Sequence, residues 1–107
     1  GAMAIADALN PQSGSLYNRS LRSLDLSGNW LYDEGTKALL APFTPDEQGV
    51  YNTTLTSLNI AGARVGARGA EALAALFTPN SGGCFNDALT SLNVSRNDLC
   101  AGEVDAA

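Results

Sequence analysis

The sequence contains no histidine, and this absence removes the commonest general base and the commonest metal ligand together. Basic residues are scarce. Six Lys+Arg stand against 11 Asp+Glu, giving a net charge of −5, with too few cations to neutralise nucleic-acid phosphates, so no nucleic acid is expected. The two cysteines, Cys84 and Cys100, cannot build a disulfide scaffold or a Cys-rich zinc site. No apolar run approaches the roughly 20 residues needed to cross a bilayer, and no membrane association is expected. The N-terminus lacks the basic segment and apolar stretch of a secretory signal; with both cysteines expected unpaired, the expected compartment is intracellular. Hydrophobic residues at 45% and charged residues at 16% exclude a disordered acidic tail and a coiled coil. What remains is 107 residues, room for one domain and one modest core. Gly1-Ala2-Met3 reads as a cloning remnant, and residues 4–107 as a single domain.

An internal period organises that domain. Leu21-Arg22-Ser23-Leu24-Asp25-Leu26 returns as Leu55-Thr56-Ser57-Leu58-Asn59-Ile60 and again as Leu89-Thr90-Ser91-Leu92-Asn93-Val94, each 34 residues after the last. Further columns keep the same spacing: Pro11, Pro45 and Pro79; Asn18, Asn52 and Asn86; Tyr17, Tyr51 and Phe85; Leu9, Phe43 and Phe77; Ile5, Leu39 and Leu73. Residues 4–20 match the second half of a unit, 21–54 and 55–88 are full units, and 89–107 open another.

Within each unit the apolar period changes. The Leu-x-x-Leu-x-Leu alternation predicts short strands at about residues 23–27, 57–61 and 91–95. A tight turn follows, containing Gly28-Asn29, Gly62-Ala63 or Arg96-Asn97, and then an inward aliphatic at Leu31, Val65 or Leu99. The Ala- and Leu-rich stretches 35–40 and 69–77 carry apolar residues at helical spacing, and Pro42, with no counterpart at Leu76, should shorten or bend the first of these helices. Residues 44–54 and 78–88 carry Pro and Gly and return the chain as loops. A 34-residue period also suits tetratricopeptide repeats, but Pro45, Gly49, Pro79, Gly82 and Gly83 break the place of their second helix, and their Trp…Leu-Gly…Tyr pattern is absent.

The pattern Leu21-x-x-Leu24-x-Leu26-x-x-Asn29-x-Leu31-x-x-x-Gly35-x-x-x-Leu39 resembles a leucine-rich repeat of the ribonuclease-inhibitor type. The second unit matches at Leu55, Leu58, Ile60, Val65, Gly69 and Leu73 but departs at Ala63, where an asparagine is expected. The third matches at Leu89, Leu92, Val94, Asn97 and Leu99. The resemblance implies an α/β solenoid: a parallel β-sheet on the concave face, α-helices on the convex face and leucines stacked between them. Right-handed strand–helix–strand crossovers agree with it. It also implies that Asn29 and Asn97 bond the backbone of neighbouring turns, which Ala63 cannot do, leaving a weak spot in the second turn.

Catalysis finds little support. A serine nucleophile needs a base within hydrogen-bond reach, and the sole lysine, Lys37, falls on an expected exposed helix face. Asp33-Glu34 and Asp46-Glu47 read as solvated loop charge, not as a calcium loop. No cofactor and no metal are expected. Cys84 reads as a small buried hydrophobe, and Cys100 lies at the other end of the third strand, about 16 Å away at 3.3 Å per residue, too far for a disulfide. Asn18-Arg19-Ser20, Asn52-Thr53-Thr54 and Asn93-Val94-Ser95 match the glycosylation triplet, which is common by chance. The Tyr17, Tyr51 and Phe85 column reads as packing under the loops in preference to a ligand-stacking ladder.

What remains is surface. The expected concave face carries Ser23, Asp25 and Ser27, then Ser57, Asn59 and Ala61, then Ser91, Asn93 and Ser95, flanked by Arg22, Thr56 and Thr90. Just past the sheet edge, Trp30, Arg64 and Asp98 share a position that differs between units. The expected contact residues for a protein or peptide partner are Arg22, Ser23, Asp25, Trp30, Tyr32, Asn59, Arg64, Asn93 and Arg96, with Trp30, Tyr32 and Arg64 foremost. The expected function is a non-enzymatic protein–protein interaction module. The alternative is a structural repeat segment that stacks end to end, as a homodimer through exposed solenoid ends or within a longer array.

Overall fold

The computed structural model describes residues 2–11 and 18–98. Helix α1 (Ala2–Leu9) is followed by strand β1 (Ser23–Asp25), helix α2 (Tyr32–Leu40) with a 3₁₀ turn (Ala41–Phe43), strand β2 (Ser57–Asn59), helix α3 (Ala67–Phe77) and strand β3 (Ser91–Asn93). The strands form one parallel sheet in the order β1-β2-β3, and α2 packs between α1 and α3 in a second layer. The register pairs Ser23, Ser57 and Ser91, then Leu24, Leu58 and Leu92, then Asp25, Asn59 and Asn93. These are the columns of the 34-residue period, so the chain is a short α/β solenoid. Helix α1 starts at Ala2, so Ala2 and Met3, read from the sequence as a remnant, run into the first helix.

The strands are three residues long, not the five expected. Asp25, Asn59 and Asn93 end them by one device: each side-chain Oδ1 accepts the N–H two residues on, from Ser27 (2.9 Å), Ala61 (3.0 Å) and Ser95 (3.0 Å). This Asx turn curls the chain out of the pleat. Bonding between units nevertheless continues past the strand ends, with Leu26 N donating to Asn59 O at 2.8 Å and Gly28 N to Ala61 O at 2.9 Å.

The core lies between the layers. Leu39, Leu40, Phe43, Leu55, Leu58, Ile60, Val65 and Leu76 are buried, and Leu24, Leu26, Leu92 and Val94 pack against them half-buried. Pro42 acts as its sequence context predicts: α2 stops at Leu40 and its last turn tightens to 3₁₀, whereas α3 runs unbroken to Phe77. The turn still delivers Phe43 into the core.

The asparagine column ties the units together. Asn52 and Asn86 are buried. Asn52 Nδ2 donates to Leu9 O (2.8 Å) and Asn18 O (3.1 Å), and Asn86 Nδ2 donates to Phe43 O (2.9 Å). Each Oδ1 accepts main-chain N–H groups of its own loop, from Thr54 (3.1 Å) for Asn52 and from Ala88 and Leu89 (both 3.0 Å) for Asn86. The Asn52 side chain, the acceptor of its glycosylation triplet, is therefore sealed inside the protein.

Several expectations are corrected. Phe85 is 46% exposed and Tyr51 half-buried, so the aromatic column does not pack as core. Tyr51 instead reaches the next unit, donating to Asp87 Oδ1 (2.5 Å) and accepting from Asp87 N (3.1 Å). Cys84 is half-buried, with Sγ 3.7 Å from Glu47 O, because its loop stacks on the preceding loop and not on the core. Asp33 and Asp46 are not merely solvated: Asp33 Oδ1 accepts from Gly66 N (2.6 Å) and Gly69 N (3.1 Å), and Asp46 Oδ1 accepts from Gln48 N and Val50 N (both 2.9 Å). Tyr17, Leu99 and Cys100 lie outside the described residues.

Candidate functional site

The turns that lead from strand to helix create the most distinctive surface. Asn97 bonds the preceding turn, its Oδ1 accepting from Ala63 N (2.9 Å) and Val65 N (3.0 Å) and its Nδ2 donating to Ile60 O (2.8 Å). The turn so held places Arg64 in the left-handed region at φ +62°. One unit earlier Ala63 stands in the place of that asparagine, and the expected weak spot is bridged by main chain. Ala63 O accepts both Leu31 N (2.9 Å) and Tyr32 N (3.1 Å), and Asn29 Nδ2 turns to Leu26 O (3.2 Å) of its own turn. Here the left-handed residue is Tyr32, at φ +57°.

The two turn forms bring Trp30, Tyr32 and Arg64 together. Trp30 is 62% and Tyr32 51% exposed. Their rings meet edge to face, with centroids 6.4 Å apart and planes at 74°. The Arg64 guanidinium carbon lies 4.4 Å from the centre of the Trp30 ring, a cation–π stack. These three, with Arg68 and Arg96, line an open groove of about 1290 Å³ along the edge where the strands end and the helices begin. Arg68 comes from the first turn of α3, which holds no acidic residue. Arg96 has φ +56°, so Tyr32, Arg64 and Arg96 all line the groove, and they are the only non-glycine residues with positive φ among those described. Among the described residues no carboxylate forms an ion pair with Arg64, Arg68 or Arg96. Asp33, Glu34, Glu71 and Asp98 also line the groove, and one oxygen of Asp33 accepts the N–H groups of Gly66 and Gly69 at the start of α3.

Of the contact residues expected from the sequence, the structure gathers Trp30, Tyr32, Arg64 and Arg96 in this groove. Arg22, Ser23, Asp25, Asn59 and Asn93 lie outside it, along the sheet. The carbonyls of Arg22 and Thr56 are occupied by the next unit, accepting from Thr56 N (2.8 Å) and Thr90 N (2.9 Å) respectively. Asp25, Asn59 and Asn93 use one oxygen each on their Asx turns, which leaves the sheet face small and polar. Arg68 was missed; its signal was the charge reversal against Glu34, its partner in the repeat column.

The Asp25 carboxyl is held below the ordinary aspartate range, first by the Ser27 hydroxyl (2.6 Å) and then by the Ser27 N–H. A depressed folded value means that this contribution is present above the unfolded pKa and is lost as pH falls through the folded one. Asp25→Asn, the amide found in both sister strands, should keep the fold and remove this acid-side loss. The check is a carboxyl titration by NMR: an Asp25 that titrates at or above 3.8 contradicts the assignment.

No group of three or more Cys, Asp or Glu among the described residues is placed to hold a metal ion, and no described helix is long and apolar enough to cross a membrane. A family model described as Leucine Rich repeat matches residues 17–40 and 51–74. No curated protein and no solved structure matches the chain.

Proposed function

From the premise that residues 17–40 and 51–74 are leucine-rich repeat units of one stacked array, we propose that the chain is a protein–protein interaction module without enzymatic activity, presenting the Trp30 groove to a protein or peptide partner. Leucine-rich repeat domains generally serve as interaction modules, which is the coarse support. The observation that carries the finer reading is the exposed Trp30–Arg64 stack. Neither side chain contributes to the core, both are residue types that dominate binding hot spots, and both stand on turns anchored by main-chain bonds to the neighbouring unit.

The test is selection of binders from a displayed peptide library, followed by comparison with Trp30→Ala. The substitution should lower stability by no more than about 1 kcal/mol, the worth of an exposed cation–π contact. It should weaken the selected binders about tenfold or more. Binders that hold the variant equally well remove the groove from the reading.

A second reading has its own observation. Leu58 and Ile60 of the middle unit are buried, while Leu24, Leu26, Leu92 and Val94 of the flanking units are only half-buried. Apolar faces of this kind favour further stacking, by a second copy or by more repeat units. Light scattering after size-exclusion chromatography decides between self-stacking and a single copy. A monomer over a wide concentration range sinks self-stacking, and a dimer or growing oligomer supports it.

A further inference from the structure

The inner surfaces of the array are bonded by one pattern, and each outer surface carries half of that pattern. Asn52 Nδ2 donates to Leu9 O (2.8 Å) and Asn86 Nδ2 to Phe43 O (2.9 Å), in each case to the end of the helical stretch one unit back. Asn18, first of that column, holds the same posture. Its N–H donates to Ala8 O (2.7 Å), as Asn52 N does to Pro42 O and Asn86 N to Leu76 O. Its Oδ1 accepts from Ser20 N and Leu21 N, as that of Asn86 does from Ala88 N and Leu89 N. Its Nδ2 meets no acceptor among the described residues. At the other end Phe77 O, third in the column of Leu9 O and Phe43 O, receives no donor among the described residues. The sheet repeats this asymmetry. Arg22 O and Thr56 O each accept two N–H groups of the next unit, and Thr90 O accepts none among the described residues.

The apolar columns are cut in the same way. Leu40 and Phe43 are buried, but Ala74 and Phe77, their counterparts one unit on, are exposed, Phe77 by 42%. Pro42 and Leu76 are buried, but Ala8, first of their column, is exposed. Helix α1 has no described strand before it, and β3 no described helix after it.

We propose that the chain docks a second copy of itself head to tail, with α1 of one copy lying on α3 of the other and β1 pairing with β3 in parallel. The proposal rests on the self-stacking reading and specifies which faces meet. Asn18 Nδ2 of one copy then donates to Phe77 O of the other, and Thr90 O accepts from Arg22 N and Ser23 N. Helix α1 covers the Phe77 ring and supplies the helix that the unit opened by β3 lacks. The period selects this occupant, because α1 and β1 carry the same columns that fill the inner interfaces. Like faces cannot meet in this way. Asn18 against Asn18 leaves two donors unmet, and Thr90 against Thr90 leaves two acceptors unmet. Unlike faces leave every pair with one of each still open, so growth continues past two copies.

The test blocks one face at a time. Asn18→Asp keeps an oxygen for Ser20 N and Leu21 N and removes the donor, so it closes the leading face and spares the fold. Phe77→Glu puts a charge on the trailing face at a side chain that is already 42% exposed. In light scattering over a wide concentration range, the unmodified chain should grow past a dimer. Each variant alone should need about tenfold or more higher concentration to associate. The mixture is decisive: each variant retains the face that the other lacks, so equal amounts should give a pair of unlike variants and nothing larger. NMR of the unmodified chain reads the contact without any substitution. The Asn18 side-chain amide should shift as the chain associates, while those of the buried Asn52 and Asn86 stay in place. A chain that remains monomeric overturns this proposal together with the self-stacking reading. Association in which the mixture behaves as the separate variants do, or in which the Asn18 amide does not move, overturns head-to-tail docking and leaves self-stacking through other faces standing.

Discussion

Asn52→Ala lowers the unfolding free energy by about 3 kcal/mol, a large share of the stability of a domain this size. The side chain is 1% exposed and serves three segments at once: the end of α1 through Leu9 O, the approach to β1 through Asn18 O, and its own loop through Thr54 N. Alanine leaves the buried Leu9 carbonyl without its partner, releases the part-buried Asn18 carbonyl and Thr54 N–H, and opens a cavity as well. Asn18 is the control in the same column. It is exposed, its Oδ1 accepts from Ser20 N (2.8 Å) and Leu21 N (2.9 Å), and its replacement should cost about 1 kcal/mol or less. Urea unfolding measures both as shifts of the midpoint at constant slope. Equal losses for Asn18→Ala and Asn52→Ala would show that the inter-unit bonds contribute nothing.

Gly69→Ala is expected to destabilise by about 2 kcal/mol, and its sign is the informative part. In an open helix the change would stabilise by about 1 kcal/mol, because alanine is the better helix former. Gly69 is not open. A Cβ there would lie 2.5 Å from Val65 Cγ1, 3.0 Å from Asp33 Oδ1 and 3.4 Å from Thr36 Cγ2. Val65 and Thr36 are buried and cannot retreat, and displacing Asp33 would break its bonds to Gly66 N and Gly69 N. A variant that melts higher than the parent would refute the close approach of α2 and α3.

Much of this was legible from residues alone. The leucine columns gave the strand register, since units of equal length that stack in parallel must align equivalent positions. Pro42 announced the shortened helix because a missing N–H and a locked φ act within one turn. The Trp30, Tyr32 and Arg64 grouping was also visible, from one variable column at the sheet edge and its neighbour. The expected strands were too long because alternation alone does not show that Asp25, Asn59 and Asn93 turn their own oxygens onto the backbone. Phe85 and Tyr51 were misplaced because a recurring aromatic need not be buried. In this chain a recurring position also means proximity to the next unit, and Tyr51 spends its hydroxyl on Asp87.

The sequence by itself determined the period, the alternation of strand and helix, the pairing register and the leucine columns of the core, because hydrophobic spacing and backbone propensity are local properties that recur with each unit. Only the tertiary structure decided which polar side chains stitch the units, how Ala63 is bridged without an asparagine, and that three arginines share a groove with the sole tryptophan. Those outcomes turn on distances between atoms some 34 residues apart, such as Asn97 to Ala63 N or Asn52 to Asn18 O. A side chain's use there depends on which main-chain donors and acceptors the neighbouring turn leaves free, and that is settled only when the units stack.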